Sequence, residues 1–302
     1  FGPSYHTEDS NLMREALATS ARKAYRGLHL AGSYLRSSFE GRRNKGLFAD
    51  VEAYCMFVGY PKSGHSLLGS LLDAHPEAII AHEQDALRYL RAGFGKMQLF
   101  HLLMENSRRY AEAGRDWNVY SYRVPGQWQG RFRKLRVIGD KKGGLSTLRL
   151  DKDPGLQHKL RKTAGVPVKY VHVVRNPYDN ISTMLRDGVF DWRSGGRNLK
   201  RSIEDYFSLC EAMRRFKERT DSSDVFEVRH EEIVEDAERE LRRLCAFLNL
   251  EAQEDYLRDC SGMVFRSPSR SRNKVEWSPE DVEDVRRRSE KFDFLRGYSY
   301  ED

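Results

Sequence analysis

The hydrophobic pattern changes period along the chain, and each change predicts an element. Met56, Phe57 and Val58 form an apolar run without polar alternation, as a strand buried on both faces requires. Leu67, Leu68, Leu71 and Leu72 then recur at helical spacing, which predicts a helix from about Ser66 to His75 and Pro76. Residues 78–81 make a short strand that runs into His82, Glu83 and Asp85. A third apolar strand begins at Leu135 and leaves through a polar, glycine-rich stretch, residues 139–144. Tyr170, Val171, Val173 and Val174 give another strand, closed by Arg175, and Pro177 suits the first position of a helix. Such alternation from Val51 to about Met184 predicts an α/β fold, a single domain with a central parallel β-sheet flanked by helices.

The flanks read differently. Met13, Leu17, Ala21, Ala24, Leu28, Ala31 and Leu35 predict an amphipathic helix that packs this face on the main domain, and residues 39–45 read as a linker. Residues 1–50 therefore form an N-terminal helical segment ahead of a domain over 51–302. Toward the other end, Leu241, Leu244, Cys245 and Leu248 mark a core helix, and Ser278, Pro279, Glu280 and Asp281 open a last one.

Candidate chemistry concentrates where the first strand ends. Gly59 and Gly64 bracket four residues, and Ser66 follows in the register of a nucleotide-triphosphatase loop. His65 fills the slot where that loop places its lysine, and Lys62 lies inside the loop instead. Backbone N–H groups of such a loop and of the following helix face one anion together. The displaced lysine points to a phosphate ligand other than magnesium–triphosphate. An ordinary strand–turn–helix is the competing reading.

A second cationic strand end reinforces the first. A triphosphatase strand would deliver a magnesium-holding Asp, whereas this one ends on Arg175. Thr183 follows eight residues later, where its hydroxyl can join Arg175 on one phosphate. The plain alternative pairs Arg175 with Asp179 at the helix start.

Together, residues 61–66 (PKSGHS) and 173–183 (VVRNPYDNIST) resemble the two phosphate motifs of sulfotransferases that use 3′-phosphoadenosine 5′-phosphosulfate (PAPS). The resemblance implies a P-loop sulfotransferase-like fold for 51–302. Lys62, Ser63, Gly64, His65 and Ser66 would hold the 5′-phosphate, and Arg175 and Thr183 the 3′-phosphate. His65 replaces the usual Thr, and Ser182 is a competing hydroxyl. A Glu after the second strand serves as base in similar enzymes, which carries that role to Glu83, with His82 as its rival. Residues 139–141 resemble the family's GDK segment, placing Lys141 near the transferring sulfonyl, with Asp140 orienting it or acting as an alternate base. Asp140 is also the best case for a magnesium site. A basic loop near the C-terminus commonly closes the 3′-phosphate, and Arg270, Arg272 and Lys274 are its candidates here. The implied reaction is in-line transfer of a sulfonyl group to a hydroxyl or amine of a small-molecule or glycan acceptor, with PAPS as donor and no metal.

Composition narrows this little. A formal net charge of +7 suits an anionic ligand, while the dispersed basic residues argue against a nucleic-acid stripe. No apolar run approaches a membrane span of about 18 residues, and no secretory signal is visible, so a cytoplasmic protein is expected. Cys55, Cys210, Cys245 and Cys260 have neither metal nor disulfide spacing. Trp117, Tyr120, Tyr122 and Trp128 either line a pocket or pack a long loop. The rival functions are a P-loop kinase and a non-catalytic binder of adenosine phosphates or RNA.

Overall fold

Strand β1 (Ala53–Val58) is buried from end to end at the centre of a five-stranded parallel sheet. In this computed structural model, residues 28, 30–117, 120–189, 198–265 and 267–302 are described. The other strands are β2 (Ala78–His82), β5 (Val137–Lys141), β6 (Val168–Val174) and β7 (Val225–Arg229), in the order β2-β5-β1-β6-β7. Between β2 and β5, β3 (Asp116–Trp117) and β4 (Tyr120–Ser121) pair as a small antiparallel ribbon. Strand β7 lies beyond the last strand expected from apolar runs. Only alternate residues are buried along it, as befits a strand at the sheet's edge.

Burial on both faces explains the unbroken apolar runs. Tyr54, Met56 and Val58 enter one core with Tyr170 and Val174, while Cys55 and Phe57 enter the other with Val171 and Val173. The helices that cover these faces include α2 (His65–Leu72), α4 (Lys96–Glu112), α5 (Gly144–Lys152), α8 (Leu199–Glu218) and α10 (Ala237–Phe247). Gly139 interrupts β5 because a Cβ there would collide with the carbonyl oxygen of Cys55 on the neighbouring strand. Helix α2 stops three residues short of the expected His75. Its C-cap, Asp73, accepts hydrogen bonds from Ile80 N and Ser107 Oγ and pairs with the buried Arg115.

The N-terminal expectation needs two corrections. Residues 1–27, which carry Met13, Leu17, Ala21 and Ala24, lie outside the described residues. Residues 30–43 are one helix, α1, so 39–45 is not a linker. Leu28 and Leu35, placed on the packing face, are about three-quarters exposed, and Ala31 is exposed as well. The helix instead docks on α4 through its other side. Gln98 donates to the Tyr34 carbonyl and to Ser38 Oγ, and Gly41 lies so close that a Cβ would stand 2.5 Å from the Met97 carbonyl oxygen. Alternation of apolar residues found the helix but chose the wrong face, because close helix approach selected a glycine and small polar groups.

Candidate active site

The candidate residues gather at the C-terminal ends of β2, β5, β1 and β6, where open parallel sheets bind ligands. The loop after β1 turns through left-handed backbone at Gly59 (φ +125°), Lys62 (φ +68°) and Gly64 (φ +102°). Gly59 N donates to Thr147 Oγ1 at 2.7 Å, which ties the loop to α5. Helix α2 starts at His65 with Gly64 as its N-cap, so no side chain caps its first N–H groups. Ser63 Oγ lies 3.0 Å from His65 Nδ1, and a Cβ on Gly143 would strike the His65 ring. Burial, aided by the Lys141 and Lys62 ammonium groups, pushes His65 down to about 3, so the imidazole is neutral. The Lys62 ammonium pairs with Asp187 at 2.6 Å, at the end of α7 (Pro177–Arg186).

Arg175 links the two motifs. Its Nη1 donates to the Lys62 carbonyl (3.1 Å) and to Thr183 Oγ1 (3.3 Å), and its Nη2 to the Ser269 carbonyl (2.8 Å) and Ser271 Oγ (3.3 Å). It is 7% exposed and Nε has no partner. Among the described residues no carboxylate pairs with it. Asp179, the plain alternative, is instead held by Arg272 through the backbone N (2.9 Å) and Nη2 (3.1 Å). Ser182, the competing hydroxyl, faces away and accepts from Trp277 Nε1.

Glu83 sits in a left-handed turn (φ +58°) with both oxygens taken. Lys141 Nζ reaches Oε1 at 2.6 Å and Lys142 Nζ reaches Oε2 at 2.5 Å. Lys141 also donates to Ser66 Oγ at 2.9 Å, joining the carboxylate to the first turn of α2. Burial opposes ionisation of Glu83, yet the two ammonium groups outweigh it and hold the carboxyl down to about 2. A general base works best with a pKa near neutrality, and in the free protein the neighbours of Glu83 move it the other way. Asp140 is the carboxyl that is raised, to about 7, chiefly by burial. Its oxygens accept from Gln84 N (3.1 Å) and Ala86 N (2.7 Å), so Asp140 fixes the turn that carries Glu83 and does not bond Lys141. His82 stacks on Tyr110 and meets Trp117 edge-on, its Nε2 buried without a partner. Burial and Lys141 push it down to about 3.

The C-terminal cations divide. Arg272 is buried, and besides Asp179 its guanidinium donates to the carbonyls of Ser299, Tyr300 and Asp302. It ties down the tail. Arg270 and Lys274 are exposed beside it. What the loop brings to Arg175 is the Ser269 carbonyl and Ser271 hydroxyl, which a search for positive charge overlooks. His230 was missed too: its ring packs against Gly64. Lys142 lay in view but was given no contact. Trp117 is 41% exposed, with its ring 5.9 Å from Lys141 Nζ, and Tyr120 meets Phe265 at 6.0 Å. Among the described residues no group of three or more His, Cys, Asp or Glu could hold a metal ion. No described helix is long and apolar enough to cross a membrane.

Similarity to known proteins appears in fold and in a family sequence pattern, while no curated relative matches the sequence. Among solved structures, the sulfotransferase domain from the curacin biosynthetic pathway aligns at 13% identity over 80% of this chain and 97% of that one, with a TM-score of 0.47. A sulfotransferase from Mycobacterium avium aligns at 12% identity over 87% and 83%, with a TM-score of 0.49. A mouse sulfotransferase complexed with PAP aligns at 12% identity over 82% and 84%, with a TM-score of 0.43. The sequence pattern of the Sulfotransferase family matches residues 56–255, which take in the 59–66 loop, Glu83, Lys141 and Arg175. With the match covering about two thirds of its length, the chain belongs to the sulfotransferase family.

Proposed function

We propose that this sulfotransferase takes its sulfonyl group from PAPS and delivers it to a hydroxyl or amine of a small-molecule or glycan acceptor. The observation that carries the donor assignment is Arg175, a buried cation bonded only to neutral oxygens. Asp179 and Glu231 act on this guanidinium only at a distance, and a phosphate in place of the neutral oxygens adds charge-assisted hydrogen bonds. The unpartnered Nε and the uncapped N-terminus of α2 after Gly64 fit an anionic ligand on this side of the loop.

Ser63, Gly64, His65 and Ser66 would hold the 5′ end of the donor through loop and helix N–H groups, with Lys62 once it leaves Asp187. Arg175 and Thr183 would hold the 3′-phosphate, with the exposed Arg270 and Lys274 at its rim. Arg272 is left out of that set here, since its guanidinium is already bonded to Asp179 and the tail. The donor supplies an activated sulfonyl: the acceptor-to-sulfur bond forms as the bridging S–O bond breaks, and the phosphate leaves with the electron pair. Lys141 would stabilise the charge developing on that side, and Glu83 would take the acceptor's proton. His82 is the second choice for that role, because its ring is held against Tyr110 and Trp117 with Nε2 buried.

Titration with adenosine 3′,5′-bisphosphate (PAP) tests the donor site. PAP at a hundredfold excess over its dissociation constant should stabilise the fold by about 2.7 kcal/mol. AMP, and ATP with magnesium, should shift the melting temperature far less at the same concentration. Equal shifts from AMP and PAP would remove the 3′-phosphate site, and a larger shift from magnesium–ATP would favour a kinase.

A further inference from the structure

Lys141 stands between two places that need its charge. Its side chain is 1% exposed, and its ammonium has two hydrogen-bond partners, Ser66 Oγ and Glu83 Oε1. Ser66 lies in the first turn of α2, beside N–H groups that no side chain caps. Glu83 follows His82 in the chain and shares Lys141 with the ring of Trp117. With Lys142 on its other oxygen, Glu83 is fully paired. A carboxylate in that state accepts no proton from an acceptor hydroxyl at neutral pH. The base assigned above is therefore switched off in the free protein.

We propose that Glu83 and the phosphosulfate end of the donor compete for Lys141, so that donor binding draws the ammonium away and frees Oε1 of Glu83, the oxygen that Lys142 does not hold, to receive the acceptor's proton. The inference rests on the PAPS reading and adds an order of events: donor first, then an active base. The donor's negative charge replaces that of Glu83 as the partner of a buried cation, which therefore never stands unpaired. No group moves between elements, because one flexible lysine reaches both positions. The charged and titratable groups facing Glu83 are Lys141, Lys142 and Asp140 from the β5 end, His82 from β2, His65 from α2 and Tyr110 from α4. Both imidazoles are neutral, so the lysines dominate.

Competition makes an unusual forecast: removing the carboxylate tightens donor binding. Coupling between two ligands of one site is typically about 5–150-fold. Calorimetric titration with PAP and with intact PAPS should give Glu83→Gln an affinity at least about fivefold above wild type, within that range. Wild type should also take up a fraction of a proton on binding near pH 5, seen as a dependence on buffer ionisation heat, and Glu83→Gln should take up none. Lys141→Ala is the second variant, for use should Glu83→Gln fail to fold. It should bind both ligands more weakly and take up no proton. Glu83→Gln binding no tighter than wild type, or proton uptake undiminished in either variant, overturns the competition while leaving the PAPS reading intact. A wild-type protein that binds neither ligand overturns both.

Discussion

A Cβ on residue 64 would stand 2.5 Å from Nδ1 of His230, so the imidazole at the start of α9 (His230–Glu235) fills the space that the missing side chain leaves. The glycine is thus required twice, by its backbone angle and by its neighbour. His230 also brings the end of β7, the edge strand, to the loop that follows the central strand β1.

Gly64→Ala should for this reason damage the loop more than an alanine usually does. Left-handed backbone costs a non-glycine residue about 1–2 kcal/mol, and the collision with His230 adds to it. PAP affinity should fall at least about tenfold, the equivalent of roughly 1.4 kcal/mol. Gly32→Ala is the contrasting variant. Gly32 lies in α1, and a methyl group placed there would meet nothing within 4 Å, so alanine should stabilise by up to about 1 kcal/mol. Denaturation curves and PAP titrations of the two proteins check both signs, and unchanged PAP affinity in Gly64→Ala would remove the loop from the donor site.

Arg175 and Arg272 are neighbours with opposite duties, and substitution should separate them. Arg272→Ala leaves buried Asp179 without its partner, a loss of about 3–5 kcal/mol by analogy with broken buried pairs. Its tail, residues 299–302, should become susceptible to proteolysis. Arg175→Ala removes no ion pair, and its main effect should be weaker PAP binding with AMP binding nearly unchanged. Thr183→Val should resemble a mild Arg175→Ala, whereas Ser182→Ala should affect only the contact with Trp277. Identical losses of PAP and AMP binding in Arg175→Ala would place the guanidinium somewhere other than the 3′-phosphate.

Metal dependence follows from which carboxylates are free. Both oxygens of Glu83 are held by lysines and both of Asp140 by backbone N–H groups, so neither offers a divalent cation an open ligand. Transfer from PAPS should persist in excess EDTA. Activity lost to EDTA and restored by magnesium would point to a kinase-like site and return Asp140 to consideration as a ligand.

Sequence alone carried the parallel sheet because β1 and β6 are buried on both faces and read as unbroken apolar runs. It carried Arg175 with Thr183 because an eight-residue step across one turn-and-helix start is a local relation. The same local logic found Ser278, whose hydroxyl accepts from Asp281 N and caps the last helix, α12 (Pro279–Ser289). What it missed is long-range. Nothing near residue 272 reveals that Arg272 is spent on Asp179, 93 positions earlier in the chain. Nothing near residue 83 shows that two lysines from β5 and its exit close on Glu83, although β2 and β5 pair in register from Ala78 with Val137 to His82 with Lys141. Charge was legible, while the partner that spends it was not.

Acid should destabilise this protein earlier than carboxylate titration alone would. His65 and His82 are buried and pushed down to about 3, from an ordinary value of 6.5. In the unfolded chain they protonate as pH falls through about 6.5, while in the folded protein they stay neutral until about 3. The unfolded state therefore binds more protons across that window, and stability falls with acidification. Each uncompensated proton contributes a slope of about 1.4 kcal/mol per pH unit. Asp140 works in the opposite sense. Its carboxyl is raised to about 7, so between about 4 and 7 the folded state holds a proton that the unfolded chain has lost. With His230, also pushed down to about 3 by burial, three imidazoles stand against one carboxyl and leave a net loss on acidification from pH 6 to 4.5. Glu83, held down to about 2, adds to it below about 4.5. Urea denaturation at intervals from pH 7.5 to 4.5 measures the slope. His82→Phe, which keeps an aromatic ring between Tyr110 and Trp117, should flatten it by about one proton's worth, close to 1.4 kcal/mol per unit. A slope unaltered by that substitution would mean that His82 is charged in the folded protein, and would restore it as a rival to Glu83 for the acceptor's proton.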